Sequence, residues 1–217
     1  MENSTELVFI LDRSGSMAGL EADTIGGYNA MLEKQRAVPG EARVTTVLFD
    51  NQYELLHDRI DLRAVAPITE KEYFVRGSTA LLDAVGSTIE KIGNAQKRTA
   101  KPYRADKVIF IIITDGMENA SHTFDYTKVK AMVECQKQEF GWEFIFLGAN
   151  IDAVEVAGRF GVAPNRAQSY HADGAGTRLN YEVTAETVAC FRETGAVPQA
   201  WNLEIEKDYR KRGKKKK

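Results

Sequence analysis

The chain has 217 residues, 43% hydrophobic and 28% charged, with a formal net charge of −2. This is the make-up of a globular protein with one sizeable core, and it excludes disordered, collagen-like and low-complexity classes. The near-neutral total hides a split: from Lys207 onward eight Lys or Arg stand against one Asp, a net of +7, while residues 1–206 carry −9.

In chain order, Leu7 to Leu11 is an unbroken apolar run, which reads as a strand covered on both faces. Ile25, Tyr28 and Leu32 follow at helical spacing. Gly26 and Gly27 interrupt that pattern at about 1 kcal/mol each relative to Ala, which predicts close packing onto the sheet. Val44 to Phe49 and Tyr53 to Ile60, joined by Asp50-Asn51-Gln52, predict an antiparallel hairpin. Leu81, Leu82, Val85, Thr88, Ile89 and Ile92 mark an amphipathic helix. Val108 to Ile113 is a second buried strand. A helix through Val129, Met132, Val133 and Gln136, a strand from Trp142 to Leu147, a short helix from Ala153 to Phe160 and a short edge strand from Gln168 to Tyr170 come next. A closing helix carries Leu179, Val183, Val188 and Phe191. Strands alternating with helices give an α/β three-layer sandwich. One domain is expected over residues 1–200, with 201–217 as a basic, disordered tail.

Cys135 and Cys190 fit neither a disulfide framework nor a zinc pattern and read as buried thiols in a reducing compartment. The start Met1-Glu2-Asn3-Ser4 has no signal-peptide pattern, and no apolar stretch approaches the about 18 residues of a membrane span. The expectation is a cytoplasmic protein without membrane contact. The tail offers only a weak route to nucleic acid.

Both buried strands end in aspartate, Asp12 and Asp115. In an open α/β sheet, ligands bind beyond the carboxyl ends of the strands where strand order reverses. Asp12-Arg13-Ser14-Gly15-Ser16-Met17 places two hydroxyls two residues apart on a glycine-containing turn, and Thr79 in Gly77-Ser78-Thr79 offers a third at a helix start. Two carboxylates and three hydroxyls form an oxygen-only donor set, suited to Mg²⁺, with Mn²⁺ or Ca²⁺ as alternatives; zinc is disfavoured, since neither His nor Cys is near. Strand-end aspartates and Thr79 could also serve simply as helix caps. Asp83, one turn after Thr79, either faces the site or caps the helix dipole, and reads as the latter, a structural role. Met17, Gly15 and Gly116 read as residues of loop geometry. His57, His122 and His171 share no ligand spacing, although Glu118, Asn119, Ser121 and His122 follow Asp115 closely enough to line the same rim.

Together, Asp12 to Met17, Gly77 to Thr79 and Thr114-Asp115-Gly116 resemble the von Willebrand factor A domains with a metal-ion-dependent adhesion site, over roughly residues 5–195. The likeness is to small stand-alone intracellular, bacterial-type members. It implies a Rossmann-like six-stranded sheet in the order 3-2-1-4-5-6 with one antiparallel edge strand. It also implies that Ser14, Ser16 and Thr79 give hydroxyl oxygens to Mg²⁺, while Asp12 and Asp115 act through water or enter the first shell. The implied role is non-enzymatic: the ion recognises a Glu or Asp of a protein partner, in such relatives an ATPase or a stress-response protein. Arg13 is expected to add positive potential at the rim. The rival reading is a Mg²⁺-dependent phosphatase of haloacid-dehalogenase type, in which an aspartic general acid would occupy the place of Ser14; a serine cannot protonate a leaving group at neutral pH. Nucleotide binding lacks a glycine-rich phosphate loop after the first strand.

Overall fold

In the computed structural model, residues 4–213 are described. Six strands, β1 (Thr5–Asp12), β2 (Ala42–Phe49), β3 (Tyr53–Asp61), β4 (Lys107–Asp115), β5 (Glu143–Ala149) and β6 (Ala167–Tyr170), form one sheet in the order β3-β2-β1-β4-β5-β6. All neighbouring pairs are parallel except β2 and β3, the hairpin expected from the sequence. Chain order reverses between β1 and β4, which pair directly, so the carboxyl ends of the two apolar strands stand side by side.

Alternation along the strands divides the core into two layers. Leu7, Phe9 and Leu11 face one side, where α1 (Glu21–Arg36), α5 (Gly174–Thr194) and α6 (Leu203–Gly213) pack. Val8 and Ile10 face the other, against α2 (Leu81–Arg98), α3 (Tyr126–Phe140) and α4 (Ala153–Arg159). Asp125, Asp152 and Asp173 accept the backbone N–H groups of Lys128, Glu155 and Gly176 and so start α3, α4 and α5. Between β2 and β3 the register shifts around Thr46, and Arg59 takes a left-handed φ of 52° on the β3 side.

Several sequence expectations are corrected. The tail does not begin near Trp201: Trp201 and Ile205 are buried in the α1/α5 layer, and α6 continues the fold to Gly213. Trp201, in the turn ahead of α6, and Ile205, in its first turn, anchor a segment whose composition is otherwise polar. Lys214–Lys217 lie outside the described residues. Cys135 is exposed and Cys190 half-buried, because both lie off the apolar stripes of their helices. Gly27 meets α5 rather than the sheet, since a Cβ there would stand 2.5 Å from the Tyr181 ring, whereas nothing crowds Gly26.

Candidate functional site

The end of β1 organises the site. Arg13 continues the β1–β2 pairing by donating its N–H to the Phe49 carbonyl (2.8 Å), and Ser14 is still extended at φ −67°, ψ 171°. Extended alternation puts Asp12 and Ser14 on one side and Arg13 on the other. Arg13 is therefore not at the rim. It is fully buried, with Nε 3.0 Å from Asp50 Oδ2 and Nη2 2.7 Å from Glu54 Oε2. A 3-10 turn over Gly15–Met17 then brings Ser16 back over Ser14 and drives Met17 into the core, which gives Met17 a packing role beyond loop geometry.

Three hydroxyls converge. Ser14 Oγ lies 3.1 Å from Ser16 Oγ and accepts a hydrogen bond from Thr79 Oγ1 at 3.0 Å. Beneath them, Asp12 Oδ1 accepts the Ser14 N–H (2.7 Å), while Oδ2 accepts the Thr114 hydroxyl (2.6 Å) and the Asp115 N–H (3.3 Å). Asp115 Oδ1 accepts from Asn150 Nδ2 at 2.6 Å. Both carboxylates are buried, and among the described residues neither forms an ion pair. Burial pushes the Asp12 carboxyl above the ordinary carboxylate range, partly offset by hydrogen bonds from Ser14 and Thr114. Burial does the same to Asp115, opposed by the Asn150 hydrogen bond and reinforced by the charge of Asp12. Gly116 closes the floor at φ +142°, where a Cβ would stand 3.1 Å from Ser16 Oγ.

The three segments are latched to one another. Gly15 N–H donates to the Gly77 carbonyl (3.1 Å), and Arg76 N–H donates to the Arg13 carbonyl (2.9 Å). The amino end of α2 has no cap of its own. Asn119 Oδ1 accepts the Thr79 N–H, Glu118 Oε2 the Leu82 N–H and Ser121 Oγ the Asp83 N–H, at 2.8–3.0 Å. In return the Asp83 carboxylate accepts the N–H groups of His122, Thr123 and Phe124, a structural role played toward the neighbouring loop and not as a cap of its own helix. Glu118, Asn119 and Ser121 are thus engaged as caps that fix Thr79 against Asp115.

The structure therefore brings together all five residues singled out in the sequence: Asp12, Ser14, Ser16, Thr79 and Asp115. Ser16 is exposed and the other four are buried, which describes a shallow cup open to solvent at Ser16. Among the described residues no group of three or more His, Cys, Asp and Glu side chains is placed to hold a metal, so a cation at this cup would rest largely on neutral hydroxyls. Sequence reasoning missed two supports. Tyr73, whose hydroxyl donates to the Asp12 carbonyl at 2.5 Å, lies in a long loop without periodicity. Asn150 stands just past β5, the strand beside β4, a position the strand-end rule could have found.

No family model matches the sequence, and no curated protein does. Among solved structures, the chain is similar to proximal thread matrix protein 1 from the mussel byssus, with a TM-score of 0.58 at 12% identity over 86% of this chain and 46% of that one. It is also similar to that protein with a zinc-occupied MIDAS motif (TM-score 0.56, 13% identity, 85% of this chain and 46% of that one). A further likeness is to the ArnB paralog VWA2 from Sulfolobus acidocaldarius (TM-score 0.54, 16% identity, 86% and 45%). The chain thus spans less than half the length of these structures. At these identities the likeness is one of fold, and the sheet order and flanking helices are those of the von Willebrand factor A-like α/β fold. Among the described residues no helix is long and apolar enough to cross a membrane.

Proposed function

We propose that this chain is a metal-dependent protein-binding module in which a divalent cation, Mg²⁺ by preference and Mn²⁺ or Ca²⁺ as alternatives, recognises a Glu or Asp of a protein partner. The observation that carries this reading is the convergence of three hydroxyls on Ser14 Oγ above two buried carboxylates that have no cationic partner. Buried ionised carboxylates without a counter-charge are costly, and a hard cation supplies that charge. The five residues stand together and their loops are hydrogen-bonded to one another, which supports the reading because little reorganisation would oppose binding. The zinc at a MIDAS motif in a structural neighbour is consistent with a divalent ion at this place in the fold.

Ser14, Ser16 and Thr79 would hold the ion through hydroxyl oxygens, with Asp12 and Asp115 beside it. When bound, the ion supplies a positive centre only partly neutralised by its donors, which attracts a further anionic oxygen. Thr114 and Asn150 keep the two carboxylates turned toward the cup, and the exposed Ser16 side is where the partner's carboxylate would enter. An ATPase or stress-response protein is the class of partner the family resemblance suggests.

Calorimetric titration tests the assignment. Mg²⁺ or Mn²⁺ should bind at one site in the native chain and lose most of its affinity in Asp12→Ala. Thr79→Ala should weaken capture of a peptide bearing a single Glu with little loss of fold, because it removes one oxygen at a loop edge. Equal metal affinity in native protein and Asp12→Ala would sink the proposal.

A further inference from the structure

Several acidic side chains border the cup, and most are committed elsewhere. Asp83 accepts the N–H groups of His122, Thr123 and Phe124, Glu118 accepts those of Leu82, Ala120 and Ser121, and Asp152 accepts that of Glu155. Each serves as a backbone cap. Asp50 is held by the guanidinium groups of Arg13 and Arg76. Asp12 and Asp115 are left to face a cation, and the side chain that stands against Asp115 is the neutral amide of Asn150.

Asn150 follows Ala149, the last residue of β5 and the partner of Asp115 in the sheet. Its φ of 55° is left-handed, and from this turn Nδ2 donates to Asp115 Oδ1 at 2.6 Å. The backbone beyond it is fixed without that side chain. Ser169 Oγ donates to the Ile151 carbonyl and accepts the Ala153 N–H, both at 3.2 Å, and Ile151 packs on Gly148, where a Cβ would stand 2.8 Å from Ile151 Cδ1. Left-handed backbone is open to Gly at no steric cost and to Asn and Asp at little. Of these three, Gly would leave Asp115 Oδ1 without its donor, and Asp would set a third negative charge against it. Asn alone holds the carboxylate and adds no charge. Asn150 is also exposed, so the residue at this position is within reach of an arriving ligand.

We propose that Asn150 is a positioning residue that sets the charge of the cup: a neutral clamp on Asp115 that keeps the donor set at two carboxylates, so that the loaded site still selects an anionic side chain of the partner. This inference rests on the metal-dependent reading above. It separates two properties, the hold on the ion and the attraction for the partner. A third carboxylate at position 150 strengthens the first and weakens the second, because it neutralises the ion that the partner's carboxylate must meet. Removal of the amide loosens Asp115 and with it the hold on the ion, but leaves the charge of the loaded cup as it was.

Asn150→Asp and Asn150→Gly, both suited to the left-handed turn, are compared with the native chain. Calorimetry gives the Mg²⁺ affinity of each. At saturating Mg²⁺, a peptide with one Glu in a neutral background, and the same peptide with Gln in its place, give ligand capture. Asn150→Asp should bind Mg²⁺ about tenfold more tightly and the Glu peptide about tenfold more weakly. Asn150→Gly should melt in chelator close to the native chain, bind Mg²⁺ several-fold more weakly and, once saturated, capture the Glu peptide within about threefold of native affinity. Parallel losses of metal affinity and capture in both variants would make Asn150 a structural support only and overturn this inference alone. So would native capture of the Glu peptide by Asn150→Asp, or an Asn150→Gly chain that does not fold, since the turn would then depend on the amide. No Mg²⁺ binding by the native chain, or equal capture of the Glu and Gln peptides, would overturn the metal reading and this inference with it.

Discussion

The two sides of the sheet are built differently. On the α2/α3/α4 side the helices cover an aliphatic and aromatic layer, in which Phe110 stacks on Trp142 and Phe144 at ring distances of 5.4 and 4.8 Å and Phe146 stands edge-on to Phe160. On the α1/α5 side the buried layer contains Tyr28, Tyr73, Tyr170 and Tyr181. There the side-chain oxygens of Thr24, Tyr170, Thr177 and Tyr181 and both polar atoms of Asn180 are buried without a hydrogen-bond partner, and no such atom occurs in α2, α3 or α4 among the described residues. Among the described residues, the helices α1 and α5 thus bury polar atoms without partners while α2, α3 and α4 do not, and α1 is the helix leaving the Ser14–Ser16 turn.

The largest effect that would sharpen this contrast is truncation on the α2/α3/α4 face. Phe110→Ala should cost about 3–5 kcal/mol, since it removes both stacks and leaves a cavity in a layer that cannot collapse around it. Denaturant unfolding checks it, and a cost below that of an ordinary surface change would erase the distinction between the faces.

The second effect concerns metal and pH. Asp12 and Asp115 are held above their ordinary value of 3.8 by burial. An acid whose pKa is raised by folding binds its proton more firmly in the folded state, so the metal-free protein should lose stability as pH rises from about 4 until both groups ionise. Saturating Mg²⁺, at about 100 times its dissociation constant, should restore about 2.7 kcal/mol at pH 7 and progressively less toward pH 4. Glu6, raised by burial at the opposite end of β1, gives a slope of the same sign that Mg²⁺ does not relieve. Unfolding curves at several pH values, with chelator or Mg²⁺, separate the two, and a metal increment independent of pH would break the link between these carboxylates and the ion.

The smallest effect belongs to the polar face. Tyr181→Phe deletes a buried hydroxyl that has no partner, so it should change stability by no more than about 1 kcal/mol, in the stabilising direction. A loss of several kcal/mol would show that the hydroxyl is bonded after all, and the two faces would then be more alike than described.

Much of the fold and of the cup is legible in the sequence, for physical reasons. The runs Leu7 to Leu11 and Val108 to Ile113 are short, apolar and rich in β-branched residues, which reads as doubly covered strands, and in an open α/β sheet the strands' carboxyl ends lie at the crevice. Hence Asp12 and Asp115 are found together. Direction within a turn is less visible: whether Arg13 faces the rim or the interior depends on two more residues of extended backbone and on Asp50 and Glu54, far away in sequence. The same holds for Tyr73 and for the cross-capping of α2 by Glu118, Asn119 and Ser121, contacts made between loops whose spacing carries no period. Helix α6 is hidden because its single buried residue, Ile205, and Trp201 just ahead of it stand among many charges, which satisfies a composition argument for disorder while still anchoring the segment.

The irregularity of the hairpin has its own consequence. β3 closes one edge of the sheet, and along it Glu54, His57, Asp58, Arg59 and Asp61 interrupt any apolar stretch, while the left-handed Arg59 and the shifted register beside Thr46 twist its free backbone groups out of line. An incoming strand would find neither a flat ladder nor a greasy surface to zip onto. This edge is therefore poorly suited to strand addition, so edge-to-edge fibres should not grow from β3 in a concentrated solution of this chain.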